Sequence, residues 1–583
     1  MITEAQITAF IDREQDSSAR AWHDRRARPE WEQVDAGELI TNLTLEQVRG
    51  QELWLRAPTN ESKFRRGDTL LLRGASGTAE VKVTYLEDSR QDRRIKVRTR
   101  RPGELPGQPW CLESDLLDLS DRLKGAVTRV YRRPDYREAR ALLEGPRPPE
   151  YDGFELRRYR QRGQTLQLTE TQTEAFAHAL ACRSYTTIKG PPGSGKTTVI
   201  AQIVREAVSE GLRVLVTAQT HKAVNNVLSA VVKVDRQVPA LKYGNPDMAV
   251  ELPESVLRVA SLADAPLPVE AGVVGAVLVA AAGFPERVEP FDLVLCDESS
   301  QVTLSLAACG LVTGRRWVFV GDERQLPPVL TAPHGDDPCA RSIFAHLYTR
   351  GTGHMLTQTF RLNKGLNAWV SREFYDGQLR ADMRSSLRQL RLTGPGQWRA
   401  LLDPARPLVI GMIDHHGHHD EAPEEASVAA ALVAELHAVH GLALRDVGVV
   451  APFRAQNRLI RSAVEAALNT TLERGEDDLL IDTVERAQGQ EREVIIVSLT
   501  SSDPDYASTL AGFLLGDERL NVAVSRARTK CVLLMSPQLL AVRSENLDHL
   551  RLLNRLHRMV RELPVVDVPI PSRAFSPQSG DPA

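Results

Sequence analysis

The sequence predicts an α/β protein: two consecutive domains of parallel β-sheet covered by helices, preceded by a small antiparallel β-barrel on a helical stalk. Three observations carry that expectation. From about residue 165, short unbroken apolar runs (Val214–Val216, Leu293–Cys296, Val318–Val320) alternate with helical segments, as strands buried on both faces do. The same grammar restarts near 355, with Leu408–Ile410, Val447–Val450, Val494–Ser498 and Cys531–Leu534. Ahead of both, alternating segments such as Glu80-Val81-Lys82-Val83-Thr84-Tyr85 are separated by Gly and Pro, the signature of short antiparallel strands.

Taken in order, residues 1–32 read as a polar N-terminal helix ending near Pro29, and 33–115 as the accessory barrel. Residues 116–164 are helical and Arg-rich, broken at Pro134, and form the stalk. The two α/β domains take 165–353 and 354–563, and the Pro-rich stretch 564–583 reads as a disordered tail. A chain of 583 residues is too long for one hydrophobic core, so several domains are expected on length alone.

Composition bounds the function. A hydrophobic content of 42% and a charged content of 26% are those of a soluble globular protein. The formal net charge is −3, so a nucleic-acid site has to be a local basic groove and not a global field. Six cysteines lie scattered with no C-x-x-C spacing, which argues against a zinc ribbon or iron–sulfur cluster and suits a reducing cytosol. The N-terminus carries acidic residues where a signal peptide needs a basic start. The longest apolar stretch, Ala271 to Phe284, is too short to span a bilayer and reads as a buried strand with its turn. An intracellular, cytoplasmic protein with no membrane partner is the expectation.

The strongest local signal is Gly190-Pro191-Pro192-Gly193-Ser194-Gly195-Lys196-Thr197, a complete G-x-x-x-x-G-K-T followed by Thr198. Glycines let backbone N–H groups wrap phosphates while the next helix points its positive end at them. Thr186-Thr187-Ile188 is a strand before it and Val199–Val208 an apolar helix after it, so the context is met. In this pattern Lys196 neutralises the β- and γ-phosphates of ATP and Thr197 ligates Mg²⁺. Downstream, Asp297 and Glu298 end a buried strand, where an aspartate holds Mg²⁺ and a glutamate polarises the attacking water. A third strand runs into Gly321-Asp322-Glu323-Arg324-Gln325-Leu326-Pro327-Pro328, where the Gln325 amide is placed to sense the γ-phosphate.

The order of these motifs resembles superfamily 1B helicases, the group with the nonsense-mediated mRNA decay helicase and the replication helicase–nuclease. Leu168 to Gln172 is similar to their adenine-reading segment, with Gln172 on the base edge. Thr217-Ala218-Gln219-Thr220 through Asn225 is similar to their strand-contacting motif Ia. In the second domain, Phe360-Arg361, the run from Asp482-Thr483 to Glu491, and Arg519 through Arg526 to Arg528 look like motifs IV, V and VI. The resemblance spans roughly 165–540 and implies two RecA-like P-loop domains. It also implies a barrel carried on a stalk before the motor, and ATP between the lobes with Arg361 and Arg526 reaching the γ-phosphate. Phe360 and Glu491 would join the nucleotide site, and Thr217, Thr220, Asn225, Pro327 and Thr483 would touch the polymer. Direction, 5′→3′, comes from the resemblance alone. Departures are small: Ser299 stands where alanine is usual, Gln490 where arginine is common and Ser525 for threonine. The spelling leans toward DNA over RNA, and no nuclease carboxylate cluster accompanies the motor.

Two further patterns are weighed against plainer readings. In Arg94-Ile95-Lys96-Val97-Arg98-Thr99-Arg100, strand alternation puts Arg94, Lys96, Arg98 and Arg100 on one face, either to track phosphates or as a solvated barrel face. Asp414-His415-His416-Gly417-His418-His419-Asp420 invites a metal site, but adjacent histidines point in different directions and no partner set is evident, so a polar loop is expected.

Overall fold

The computed structural model describes residues 1–74, 80–103, 105–145, 147–249, 251–262, 270–348, 353–472 and 478–570. The chain forms two compact units. The first runs from Met1 to Leu356 apart from Pro192–Ser194 and Arg324–Leu326, which group with the chain from Thr357 onward in the second.

The first unit begins with the helix Glu4–Ala27, set by a capping box in which Thr3 and Gln6 satisfy each other's backbone N–H. Ile7, Phe10 and Ile11 are its buried face. Glu14 on the same helix accepts hydrogen bonds from Thr331 N (3.0 Å), Ala332 N (2.8 Å) and His334 Nε2 (2.7 Å), which anchor it to the loop beyond Pro327. Six antiparallel strands follow and close into a barrel in the order Leu39–Arg49, Glu52–Arg56, Arg94–Thr99, Glu80–Ser89, Thr69–Gly74, Trp110–Ser114. Its interior is apolar, with Leu43, Leu53, Leu55, Leu72, Val97 and Leu112 fully buried. The helices Ser120–Arg132, Arg137–Glu144 and Gly153–Thr165 lead on from it.

The main sheet of this unit has eight strands, all parallel. Val256–Val259, Ala240–Tyr243, Gly272–Val277, Arg213–Ala218, Leu293–Cys296, Trp317–Gly321, Tyr185–Lys189 and His354–Met355 lie side by side in that order. The Ala271 to Phe284 stretch is the expected strand and turn. The second unit carries six parallel strands: Leu480–Asp482, Val447–Val450, Arg492–Ser498, Ala527–Met535, Leu408–Met412 and Val565–Asp567. The last corrects the expected tail. Ile410 to Met412 still offer an open sheet edge, and Val565-Val566-Asp567 pair with them, so the chain stays ordered past 564. The remainder of that tail, 571–583, lies outside the described residues. Among the described residues no helix is long and apolar enough to cross a membrane.

Candidate nucleotide site

In the first unit, parallel strands place the motif residues at one sheet edge. The strand Tyr185–Lys189 pairs with Trp317–Gly321, and Gly190 N donates to Gly321 O at 2.9 Å, so the start of the P-loop is tied to the start of the Asp322–Pro328 segment. Leu293–Cys296 lies next to that strand and delivers Asp297, whose N–H donates to Thr217 O at 2.9 Å. Gly193 and Gly195 have φ of 69° and 78°, a backbone that side chains rarely adopt and that turns N–H groups into the loop. Lys196 then starts the helix Lys196–Ser209 directly behind it.

The charges converge. Lys196 Nζ lies 3.7 Å from Glu298 Oε1, and Glu298 N donates to Asp297 Oδ1 at 2.9 Å. Burial pushes the Asp297 carboxyl well above the usual carboxylate range and Glu298 adds to the rise, while Lys196 and the Glu298 N–H pull it down. A divalent cation at this carboxylate would remove that penalty, so Asp297, one of the two expected Mg²⁺ ligands, fits the ion. Glu298 itself has φ 50° and ψ 35°, left-handed for a residue with a side chain. Ser299 Oγ donates to Val320 O at 2.8 Å, which accounts for the hydroxyl where alanine is usual. Gly321 has no room for a side chain: a Cβ would stand 2.9 Å from Ser300 N.

Sequence reasoning missed Lys189. It is 6% exposed at the end of its strand, and its Nζ lies 2.5 Å from Glu323 Oε1. A lysine closing an otherwise apolar strand just before the glycines was the available signal. Gln172 caps its own helix, its Oε1 accepting from Thr169 N at 3.1 Å, which fixes how the amide is presented. Two of the residues expected at the polymer lie in the interior. Thr217 is fully buried in the sheet, and Asn225 is buried with its Nδ2 donating to Met248 O at 2.7 Å. Thr220 caps the helix His221–Val234 and is exposed, as is Pro327.

The basic residues of the barrel strand share a face, and three of them are met by carboxylates. Arg94 Nε lies 2.6 Å from Glu46 Oε2, Lys96 Nζ 3.1 Å from Glu52 Oε2, and Arg98 between Glu52 (2.8 Å) and Asp247 (2.5 Å). Arg100 is exposed beyond the strand end.

In the second unit, Arg361 pairs through Nε with Glu491 and donates through Nη1 to Ser525 O at 3.0 Å. Arg528 lies on the other oxygen of Glu491 at 2.6 Å. Burial alone would raise the Glu491 carboxyl, but the two guanidiniums outweigh it and hold it down at about 2. Arg526 is 2% exposed and donates to Val522 O (3.2 Å) and Gln490 O (3.3 Å). Phe360 is exposed, and Thr483 is buried beside Asp482.

A glycine-turned loop, a lysine and a strand-end Asp–Glu pair on a parallel sheet form the local geometry of a P-loop. Residues 167–393 match a family model described as AAA domain, and 339–538 match a second with the same description. DNA replication ATP-dependent helicase/nuclease DNA2 of Mus musculus is 29% identical over 408 residues, covering 63% of this chain and 37% of that protein. The Saccharomyces cerevisiae protein of that name is 29% identical over 403 residues, 63% of this chain and 26% of the relative. A solved Arterivirus nonstructural protein 10 (helicase) with DNA overlays at TM-score 0.38 and 12% identity, covering 85% of this chain and 78% of that one. Over 63% of its length this chain is similar to the DNA2 helicase/nucleases. The chain spans little more than a third of the length of the mammalian relatives it matches.

Proposed function

We propose that this chain hydrolyses ATP and uses the energy to move 5′→3′ along single-stranded nucleic acid, DNA in preference to RNA. The observation that carries the reading is the convergence of Lys196, Asp297 and Glu298 beside the left-handed glycines Gly193 and Gly195. Lys196 holds the β- and γ-phosphates, and Glu298 orients the attacking water. Thr197 and Asp297 would hold Mg²⁺, which, when bound, neutralises charge on the phosphates. Gln325 reports the state of the γ-phosphate to the segment ending at Pro327. Arg361 and Arg526 supply positive charge to the transferred phosphoryl group, with Gln172 and Phe360 serving the base. Thr217, Thr220, Asn225, Pro327 and Thr483 are the candidates for polymer contact, with Thr220 and Pro327 exposed. The names of the relatives, with DNA replication and helicase in them, support DNA as substrate.

The test is ATP turnover with single-stranded DNA, single-stranded RNA and duplex side by side, followed by strand displacement on substrates with a 5′ or a 3′ tail. Stimulation by single strand and displacement from the 5′ tail are expected. Stimulation without displacement would instead support a nucleic-acid-gated ATPase that remodels complexes. Absence of both would end the motor reading.

A further inference from the structure

The second unit holds a cluster that the nucleotide site does not use. The loop after the Leu408–Met412 strand carries His415 and His418, and the helix Pro423–Ala434 begins with Glu424 and Glu425. His415, His418 and Glu424 each offer a ligand atom, all within 4.8 Å of one another. The expected polar loop is therefore only half of what is there. His416 and His419 are exposed, while His415 is fully buried as a side chain and His418 half-buried.

Hydrogen bonding decides which atoms are left for a ligand. His415 Nε2 lies 3.0 Å from Glu425 Oε1. Glu425 is itself completely buried and accepts from Ser498 Oγ (2.6 Å) and Thr500 N (3.0 Å) on its other oxygen. A carboxylate meeting donors on both sides acts as acceptor, so the proton sits on Nε2, and Nδ1 keeps its lone pair. That Nδ1 is buried with no hydrogen-bond partner, and Glu424 Oε2 is buried with the His418 ring nitrogen 3.0 Å away. A buried imidazole acceptor left unpaired is costly unless something positive meets it.

The loop is also held for the purpose. Ser536 Oγ donates to His415 O at 2.7 Å, Ser502 Oγ accepts from His418 N at 3.0 Å, and Ser502 N donates to His418 O at 2.8 Å. Histidine backed by a carboxylate, Glu425 behind His415, is the arrangement that fixes tautomer and ring direction in metal centres.

We propose that His415 Nδ1, His418 Nε2 and Glu424 Oε2 bind a divalent transition-metal ion of the zinc class. Two imidazoles and one carboxylate suit zinc or cobalt, whereas magnesium and calcium prefer all-oxygen sets. Ligands ~2.0–2.2 Å from one tetrahedral ion stand about 3.4 Å apart, and His418 Nε2 already lies 3.0 Å from Glu424 Oε2. The site joins the strand end to the helix start and leaves a fourth position open.

The experiment uses the full, untagged chain, freed of metal by chelation and without nucleotide. Co²⁺ is titrated while visible absorption is followed, and Zn²⁺ is then added in competition. One Co²⁺ per chain is expected, with tetrahedral-type bands, no thiolate charge-transfer band, and displacement by Zn²⁺. Excess Zn²⁺ should raise the melting temperature by roughly 5 °C or more at a hundredfold excess over its dissociation constant. H418Q and E424Q, both at partly exposed positions, should melt like the chelated wild type and lose affinity by about a hundredfold or more. Absence of saturable binding, a thiolate band, or binding unchanged in either folded variant would overturn the site.

Discussion

Asp297 in the first unit is buried and Glu491 in the second half-buried; both are carboxylates among motif residues, yet their surroundings differ in sign. Burial and a neighbouring glutamate raise Asp297, with one lysine to oppose them. Glu491 sits between Arg361 and Arg528 and is held at about 2. The first arrangement is an incomplete charge set that gains by taking up a cation. The second is complete within its own unit, so its arginines already have a partner to leave before they serve a phosphate. Opposite shifts in two carboxylates thus follow from the charges that surround them, not from residue type.

The largest expected effect tests the two ends of that contrast together. Arg526→Ala should still bind ATP but turn over ~10³–10⁵-fold more slowly at saturating single strand, the range of arginine fingers in P-loop enzymes. Lys196→Ala should lose turnover as completely while keeping single-strand binding. Full turnover in a well-folded Arg526→Ala would reduce that arginine to a structural cross-link between Val522 and Gln490.

Glu491→Gln releases Arg361 and Arg528 from their shared partner without changing size. We expect turnover to fall by roughly tenfold, much less than for Arg526→Ala, with a loss of stability on the order of 1–3 kcal/mol. Measuring turnover and melting on one preparation separates the roles. A stability loss with unchanged turnover per folded molecule would make Glu491 purely architectural.

Acid should separate the units. In the first, His354 packs on His178 at 3.7 Å beside Tyr151, and burial drives its pKa down to about 4. His221, buried against Lys242, is also pushed to about 4. A folded-state pKa below the unfolded value near 6.5 means the unfolded chain takes up the protons. Stability from keeping these rings neutral is present above pH 6.5 and lost as pH falls toward 4. Glu491, lowered from about 4.5, loses its contribution only on the way to about 2. Limited proteolysis between pH 7 and 4 should therefore open the first unit before the second, and the reverse order would refute this.

The smallest effect concerns the barrel. With Glu46, Glu52 and Asp247 among them, neutralising Arg94, Lys96, Arg98 and Arg100 together should change the slope of log K against log salt by less than about 0.7, one phosphate contact. A change of three or four times that would restore the phosphate-tracking role.

The two sheets were legible because strands buried on both faces, such as Val494–Val497, leave unbroken apolar runs. The nucleotide loop was legible because its chemistry is local, eight consecutive residues with a strand before and a helix after. What escaped was every arrangement whose second half is distant. Asp247 reaches Arg98 across 149 residues and Glu491 reaches Arg361 across 130, and no periodicity reports either. Alternation showed which barrel side chains share a face but not which strands lie beside it. The histidine run gave no cluster signal for a related reason: Glu424, the third member of the cluster, sits in the first turn of the following helix.

The left-handed Glu298 has an evolutionary consequence. A glutamate at φ 50° costs about 1 kcal/mol that glycine would not, so Glu298→Gly should leave the fold as stable or more so while removing the group that orients water. Selection for heat resistance alone would drift toward that glycine and silence the enzyme. On the proposed role, stability and turnover pull in opposite directions at this one position.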